Sequence, residues 1–439
     1  MAKTITLNEY SFLQTHDKDN NQNPYIEPKE FEVLERFILQ NEDKAQYLKP
    51  IYKKGYKKVL QAQNYVGLIQ LKNGTTIEIL PKINDNKDKD EKEIKNENEN
   101  SKIILIKMLK TLRNSPFKNL GFAHLKNIKN MSLFEVFISM FLEELASLVK
   151  KGIRFDYVTK EENLHFLKGK LHLSKQLQYN SVHKERFFVE YEEFSINRAE
   201  NRLIKTTLLY LYKKSTSNKN QQRIREFLFV FDEVEKSKNI EVDFSKTKQN
   251  RQMKHYTQVL LWCKTFLLHK SFTPYKGDDV AFALLFDMNK LFESYVFDYL
   301  KKKGEFESII AQDSEHHLAF LNGKTPKFKL KPDIVINKSS KNKTTIVIDT
   351  KWKLLDEEKT HNGISQADMY QMFAYGKKYK CESILLIYPK HTKVKKQCYT
   401  YYKQNLEEEK LKVEILFFDI EKENEIHKVL QRYIKYKCL

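Results

Sequence analysis

Two short stretches carry the residues best suited to chemistry: Lys331-Pro332-Asp333-Ile334-Val335-Ile336 and Ile346-Val347-Ile348-Asp349-Thr350-Lys351. Each alternates side chains with the two-residue period of a strand. Residues 337–344 (NKSSKNKT) are polar and join them as an antiparallel hairpin. In the register that loop sets, Asp333 and Asp349 lie opposite each other or nearly so, with Cβ atoms about 4.5–5.5 Å apart. Lys351 stands two residues from Asp349 and shares its face. Two ionised carboxylates this close repel unless a cation sits between them. An all-oxygen donor set selects Mg²⁺, with Mn²⁺ the other option, over zinc. Such a metal polarises a phosphodiester and lowers the pKa of a bound water. Lys351 then orients that water or neutralises charge in the transition state. The backbone carbonyl of Thr350 is a further candidate ligand. An acid-x-Lys triplet alone is weak, since roughly nine arise by chance in this composition. The competing reading is a charged hairpin face with a Lys–Asp cross-strand pair.

Two helices must complete such a site. In Ile364–Tyr379 (ISQADMYQMFAYGKKY), residues Ile364, Asp368, Gln371, Tyr375 and Tyr379 recur at three- and four-residue steps. Gln371 and Tyr375 therefore point together toward the sheet, with Met372 and Phe373 expected in the flanking core. The earlier helix, expected over Leu284–Leu300, carries Glu293 among Leu291, Phe292, Tyr295 and Val296. That acid is a candidate third carboxylate on the metal. The histidines form no HExxH pattern, and His316-His317 read as surface or core residues.

Composition narrows the partners. The 439 residues carry 78 Lys+Arg against 58 Asp+Glu, a formal charge of +20. Arginine supplies only ten of the basic residues, so lysine-rich coding bias competes with a polyanionic partner as the explanation. Only 11 glycines are present, and none falls in GxGxxG or GxxxxGK[ST]. Phosphate cradles need glycine for close backbone approach, so nucleotide chemistry is expected to belong to another chain. The four cysteines are far apart with no CxxC pair, which argues against a disulfide framework and a thiolate zinc site. The N-terminus lacks a signal-peptide pattern. The most apolar stretch, Ser132–Val149, holds three glutamates and reads as a core helix, so a cytoplasmic location and no membrane partner are expected.

The chain reads as an α+β multidomain protein. An N-terminal α+β module (1–100) holds a helix over 28–40 with Phe31, Leu34, Phe37 and Ile38 on one stripe. It also holds a hairpin in which Asn73-Gly74 fits a type I′ turn between Tyr65–Lys72 and Thr75–Pro81. Its end, Asn84–Ser101, has one apolar residue and is expected to be a flexible linker. A mainly helical middle region (101–270) follows, with a β-like interruption near Phe166–Tyr179, a polar break at 213–222 and an amphipathic helix over Ser195–Leu211. In Phe166–Tyr179 a solvated turn around Gly169 is favoured over a phosphate loop. The last region (271–439) alternates helix and strand as an α/β domain, with strands near Ser383–Tyr388, Lys395–Tyr401 and Val413–Phe418 and a closing helix over Glu423–Tyr436.

Glu293, Pro332-Asp333, Asp349-Thr350-Lys351 and Gln371-x-x-x-Tyr375 resemble the PD-(D/E)xK restriction-endonuclease-like core. More narrowly, GLIQLKNGTTIEILPKI (67–83), NRAENRLIKTTL (197–208), MNKLFESYV (288–296), KPDIVI (331–336), IDTKWK (348–353) and SQADMYQMFAYGKKY (365–379) resemble the McrC family, the nuclease subunits of McrBC-type restriction systems. The resemblance implies a Mg²⁺-dependent endonuclease that cuts double-stranded DNA only with a McrB-like AAA+ GTPase hexamer, as phage defence. It assigns metal binding to Asp333, Asp349, Glu293 and Thr350, and catalysis to Asp333, Asp349, Lys351 and Gln371. It places GTP on the partner, with the N-terminal module engaging the ring and stimulating hydrolysis. The rival is a non-catalytic basic adaptor that docks on a AAA+ ring and DNA.

Overall fold

The computed structural model describes residues 3–15, 24–41, 46–52, 58–83, 91–113, 115–117, 131–247, 251–268, 280–304, 306–338, 344–381, 383–390, 397–400 and 411–420, together with Ile426 and Leu430. The closing helix expected over Glu423–Tyr436 therefore lies almost wholly outside the described residues.

The N-terminal part runs β1 (Thr4–Asn8), β2 (Phe12–Gln14), α1 (Pro28–Asn41), β3 (Leu48–Ile51), β4 (Val59–Ala62), β5 (Tyr65–Leu71), β6 (Thr76–Leu80) and α2 (Glu91–Leu109). The α1 stripe is as expected: Phe31, Leu34, Phe37 and Ile38 are its buried apolar residues. They pack with Ile69, Leu71, Ile77 and Ile79 of the β5–β6 hairpin. That hairpin forms, but its turn is not type I′, because Gly74 alone in the loop has positive φ (94°) and Asn73 does not. The Gly74 amide bonds the Leu71 carbonyl at 3.0 Å, and β5 and β6 are offset by one residue around it. This is the three-residue loop with glycine at the left-handed position.

The expected linker is revised in its second part, residues 84–90 lying outside the described residues. Glu91–Ser101 is the first half of α2. Ile104, Leu105, Met108 and Leu109 bury its second half, and Lys102 pairs with the buried Glu78 at 2.8 Å. Once that half is anchored, each further residue needs only to add one backbone bond, so a polar segment propagates as helix.

The middle part comprises α3 (Leu133–Lys151), β7 (Asp156–Leu164), β8 (Lys170–Leu171), α4 (Leu173–Tyr179), β9 (Phe187–Ser195), α5 (Ala199–Lys214), α6 (Asn218–Val230), α7 (Ile240–Lys246), a 3-10 turn (Arg251–Tyr256) and α8 (Thr257–Leu267). Strands β7, β9 and β8 form one small sheet. The helix expected from Ser195 starts at Ala199, since Ser195 ends β9. The polar break shrinks to Ser215–Ser217, where the buried Glu135 carboxylate of α3 collects the Thr216 and Ser217 amides and the Ser215 hydroxyl.

The last part holds β10 (Val280–Asp287), α9 (Met288–Lys303), β11 (Ile309–Ala311), β12 (His317–Leu321), β13 (Thr325–Lys329), β14 (Ile334–Ile336), β15 (Ile346–Thr350), α10 (Gln366–Tyr379), β16 (Ser383–Pro389), β17 (Gln397–Thr400) and β18 (Lys412–Phe418). Leu284–Asp287, expected to be helical, belongs to β10, and Asp287 caps α9 by accepting from the Asn289 amide. The strand is stabilised from a distance: β10 pairs antiparallel with β5, completing the sheet β1-β6-β5-β10. Gly67 permits that close approach, since a Cβ there would collide with the Leu284 carbonyl. No described helix is long and apolar enough to cross a membrane.

The six-stranded sheet runs β11-β14-β15-β16-β18-β17, with β14 antiparallel and β16 parallel to β15. Strand alternation sends Ile334, Ile336, Ile346, Ile348, Leu385 and Ile387 to one face, which packs with Leu291, Phe292 and Val296 of α9. Val335, Val347, Ile384 and Leu386 take the other face, with Met372, Tyr375 and Tyr379 of α10. The sheet is thus a layer between two helices. Phe373, expected in the core, is exposed.

Candidate functional site

The hairpin register is the one expected. Ile334 pairs with Ile348, Val335 with Val347 and Ile336 with Ile346. Extending it by one residue sets Asp333 opposite Asp349. Both therefore lie on the Val335–Val347 face, under α10, as does Lys351 beyond the end of β15. The site sits where β15 ends and β14 begins.

Asp349 is almost fully buried, and its Oδ2 lies 2.7 Å from Lys351 Nζ. Lys351 Nζ also donates to Gln371 Oε1 at 3.3 Å and stands 3.8 Å from Asp368. Gln371 in turn donates through Nε2 to the Tyr375 hydroxyl at 2.7 Å. The α10 stripe thus delivers Asp368, Gln371 and Tyr375 to one point. Ser365 starts that helix by accepting from the Asp368 amide at 3.1 Å. Asp333 Oδ2 accepts from both the amide and the hydroxyl of Thr350, each at 2.7 Å. Glu293 Oε2 accepts from Gln312 Nε2 at 3.2 Å. The Lys351 amide bonds the Ile387 carbonyl at 2.9 Å, and the Trp352 amide donates to Asn289 Oδ1 at 3.3 Å, fixing the exit from β15.

The electrostatics follow from crowding acids in a buried place. Burial, and then the charge of Asp333, push Asp349 up to about 7 against the pull of Lys351. Glu293 also rises to about 7, through burial and then Asp333. Burial raises Asp333 too, while the two Thr350 donors oppose it. Lys351 moves the other way for a buried amine: burial would lower its pKa, but Asp349 and Asp368 hold it above its ordinary value. The site therefore holds three carboxylates that resist ionising together and one firm ammonium. Such a donor set fits a divalent cation, because a cation is what would let all three ionise. The oxygens are not drawn into a tight cage. Among the described residues the cluster with ligand atoms within 4.8 Å of one another is Glu161, His172 and Glu190, whose Glu161 is already paired with Lys175.

The structure brings together Asp333, Asp349, Lys351, Gln371, Glu293 and Thr350. Thr350, expected to offer its carbonyl, clamps Asp333 through its amide and hydroxyl. Asp368, on the Gln371–Tyr375 stripe but not among the expected site residues, stands beside Lys351, and Gln312 joins through Glu293 with no local signature in the sequence. The NRAENRLIKTTL segment makes internal structure instead. Arg198 chelates Glu200 at 2.8 and 3.2 Å, Arg202 pairs with Asp243 at 2.6 Å, and buried Asn201 bridges the Ile196 carbonyl and the Tyr256 hydroxyl.

A strand hairpin carrying opposed aspartates and a lysine, set between two helices, defines a mixed α+β protein with a buried acidic centre. Residues 60–389 match the family model described as McrBC 5-methylcytosine restriction system component, and the chain belongs to that family. It is similar to the Thermococcus gammatolerans half-complex described as part of a tetradecameric assembly of McrB AAA+ hexamers with bound McrC. That match has 19% identity and a TM-score of 0.70, and covers 98% of this chain and 99% of the other. A second structure, the Thermococcus gammatolerans McrBC complex, matches at 20% identity and a TM-score of 0.48, covering 69% of this chain and 88% of the other. No curated protein matches the chain.

Proposed function

We propose that this chain is the nuclease subunit of a McrBC-type restriction complex, with a PD-(D/E)xK active site that hydrolyses phosphodiesters in double-stranded DNA. The observation that carries the reading is the convergence of Asp333, Asp349 and Lys351, with Gln371 delivered from α10 and Glu293 from α9. Asp333, Asp349 and Glu293 would hold Mg²⁺, or Mn²⁺, with the Thr350 carbonyl as a further ligand. When bound, the metal supplies charge for the phosphate oxygens and acidifies a water. Thr350 spends both its donors on Asp333 Oδ2, which leaves Oδ1 as the oxygen for a cation. Lys351, kept as an ammonium by Asp349 and Asp368, acts as a positive hydrogen-bond donor to the reacting phosphate rather than as a base. Gln371 holds the Lys351 ammonium in place, and Tyr375 holds the Gln371 amide.

The similar archaeal structure, in which McrC is bound to McrB AAA+ hexamers, supports a AAA+ GTPase ring as the partner. The glycine-poor sequence supports placing GTP there and not on this chain. The test mixes the chain with a McrB-type GTPase, methylated duplex DNA, GTP and Mg²⁺. Double-strand breaks are expected from the wild type, and a loss of at least ~100-fold from Asp333→Ala and Lys351→Ala with GTPase stimulation retained. Wild-type cleavage by either variant would sink the site. Stimulation of the GTPase with no metal-dependent cutting by the wild type would favour the adaptor reading instead.

A further inference from the structure

The β12–β13 hairpin leaves the six-stranded sheet between β11 and β14, and its base is the active site itself. The Gln312 amide bonds the Asp333 carbonyl at 2.8 Å, and the Gln312 side chain holds Glu293. Beyond that, the Leu330 amide bonds the His316 carbonyl at 2.9 Å. The His316 ring sits edge-on to Tyr379 at 4.5 Å, and Tyr379 donates to Asp313 at 2.8 Å. The base is anchored to α10, while the strands beyond it stand out from the body. All of β13 is exposed, and so is β12 from Leu318 to Leu321. At the tip, Asn322 and Gly323 both take positive φ (51° and 70°), the mirror-image turn that suits a hairpin.

Its surface has two features that do not suit a free hairpin. Residues 316–332 contain four lysines, two histidines and no acid, although the chain as a whole carries 58 acids. Among the described residues, Lys324, Lys327 and Lys329 make no ion pair, while Lys331 at the base acts electrostatically on Glu293 and Asp333. Register places His317, Ala319, Leu321, Thr325, Lys327 and Lys329 on one face and Leu318, Phe320 and Pro326 on the other. That second face is bare: Leu318 is 47% exposed and Phe320 56%. An isolated two-stranded ribbon is at best marginally stable in water. A ribbon with a lysine face, an apolar face and no acid is complementary to a polyanion that also offers apolar surface. A duplex groove is such a surface: the major groove is about 12 Å wide, admits a two-stranded ribbon and displays thymine methyls between its phosphates.

We propose that the β12–β13 hairpin is a DNA-gripping arm that enters a groove of the duplex beside the scissile phosphate. Lys324, Lys327 and Lys329 meet phosphates, and Phe320 and Leu318 meet base edges. The five residues of β13 span about 17 Å, enough to reach into a groove from a base fixed at Asp333. The arm would fix the strand being cut relative to the Asp333–Asp349 pair. This inference rests on the nuclease reading for its choice of DNA as ligand.

The test reads binding, not cleavage. The full chain is titrated with a short duplex by fluorescence anisotropy in metal-free buffer across a range of salt. Reversing Lys324, Lys327 and Lys329 together to Glu is expected to weaken binding at least ~10-fold and to flatten the log–log salt slope by roughly three. Lys213→Glu with Lys214→Glu, on α5, is the control and should leave the slope close to wild type. An unchanged slope in the hairpin variant, or an equal change in the control, overturns the proposal. Acetylation footprinting of the wild-type chain covers the case of a variant that does not fold. Duplex is expected to protect the three lysines, and protection by a AAA+ partner instead of by duplex overturns the proposal. Duplex that protects the lysines of a chain that never cuts would sink the nuclease reading and leave the arm standing.

Discussion

Replacing Glu9 by Gln tests how the N-terminal sheet is tied to the exit from β15. Glu9 follows β1 and is only 1% exposed, yet its Oε2 receives the Trp352 indole N–H at 2.8 Å and the Lys82 amide at 3.0 Å. Trp352 is the residue after Lys351, so one buried carboxyl links the end of strand β1 to the neighbour of Lys351. Burial pushes this carboxyl from 4.5 up to about 8, against the two N–H donors. An acid whose folded pKa is raised stays protonated in the folded chain while the unfolded chain ionises. Its contribution to stability is therefore whole below 4.5 and lost as pH rises toward 8. Integrated from about pH 5 to about pH 8.5, the loss is about 4 kcal/mol. The glutamine amide has the shape of the neutral acid, and its oxygen can accept the same two N–H groups, but it does not titrate. Thermal melts of both proteins across this pH window are the assay. The wild type should lose several degrees of Tm more than Glu9→Gln as pH rises. Asp349 and Glu293 titrate in both proteins and cancel in the difference. Parallel pH profiles for the two proteins would refute the argument, since they would mean that Glu9 is not held neutral.

Two further measurements address the acidic centre. Mg²⁺ at neutral pH should raise the Tm of the wild type and chelation should reverse it, whereas Asp349→Asn should respond to neither. An equal response in both proteins would place the cation elsewhere. Thr350→Val keeps the amide donor to Asp333 and deletes the hydroxyl donor, which should cost about 1–3 kcal/mol in a denaturant titration and raise the Asp333 carboxyl further. An unchanged midpoint would show that the hydroxyl bond contributes nothing.

Sequence periodicity carried the local part of this structure. Alternation in 331–336 and 346–351, together with the length of the loop between them, determined that Asp333 and Asp349 oppose each other, because a strand's two-residue period leaves no freedom once the register is set. The helical steps of 364–379 likewise determined that Asp368, Gln371 and Tyr375 share a face. The four apolar residues of α1 were readable for the same reason. What lies beyond local periodicity was decided by partners distant in the chain. Val280–Asp287 is a strand because β5, more than two hundred residues earlier, offers an edge to pair with. Glu91–Ser101 is helical because Glu78 and the apolar half of α2 anchor it. The Asn-Gly pair at 73–74 and the one at 322–323 are the same dipeptide in loops of the same length, yet they adopt different turns: the strand register puts the pair at the second and third loop positions in one and at the first and second in the other. Glu293 reaches the aspartates from a helix on the opposite face of the sheet, by way of Gln312. The identity of the acids was thus written in the chain, whereas their raised pKa values came from how deeply the fold buries them together, and the charge held on Lys351 from the Asp349 and Asp368 carboxylates set beside it.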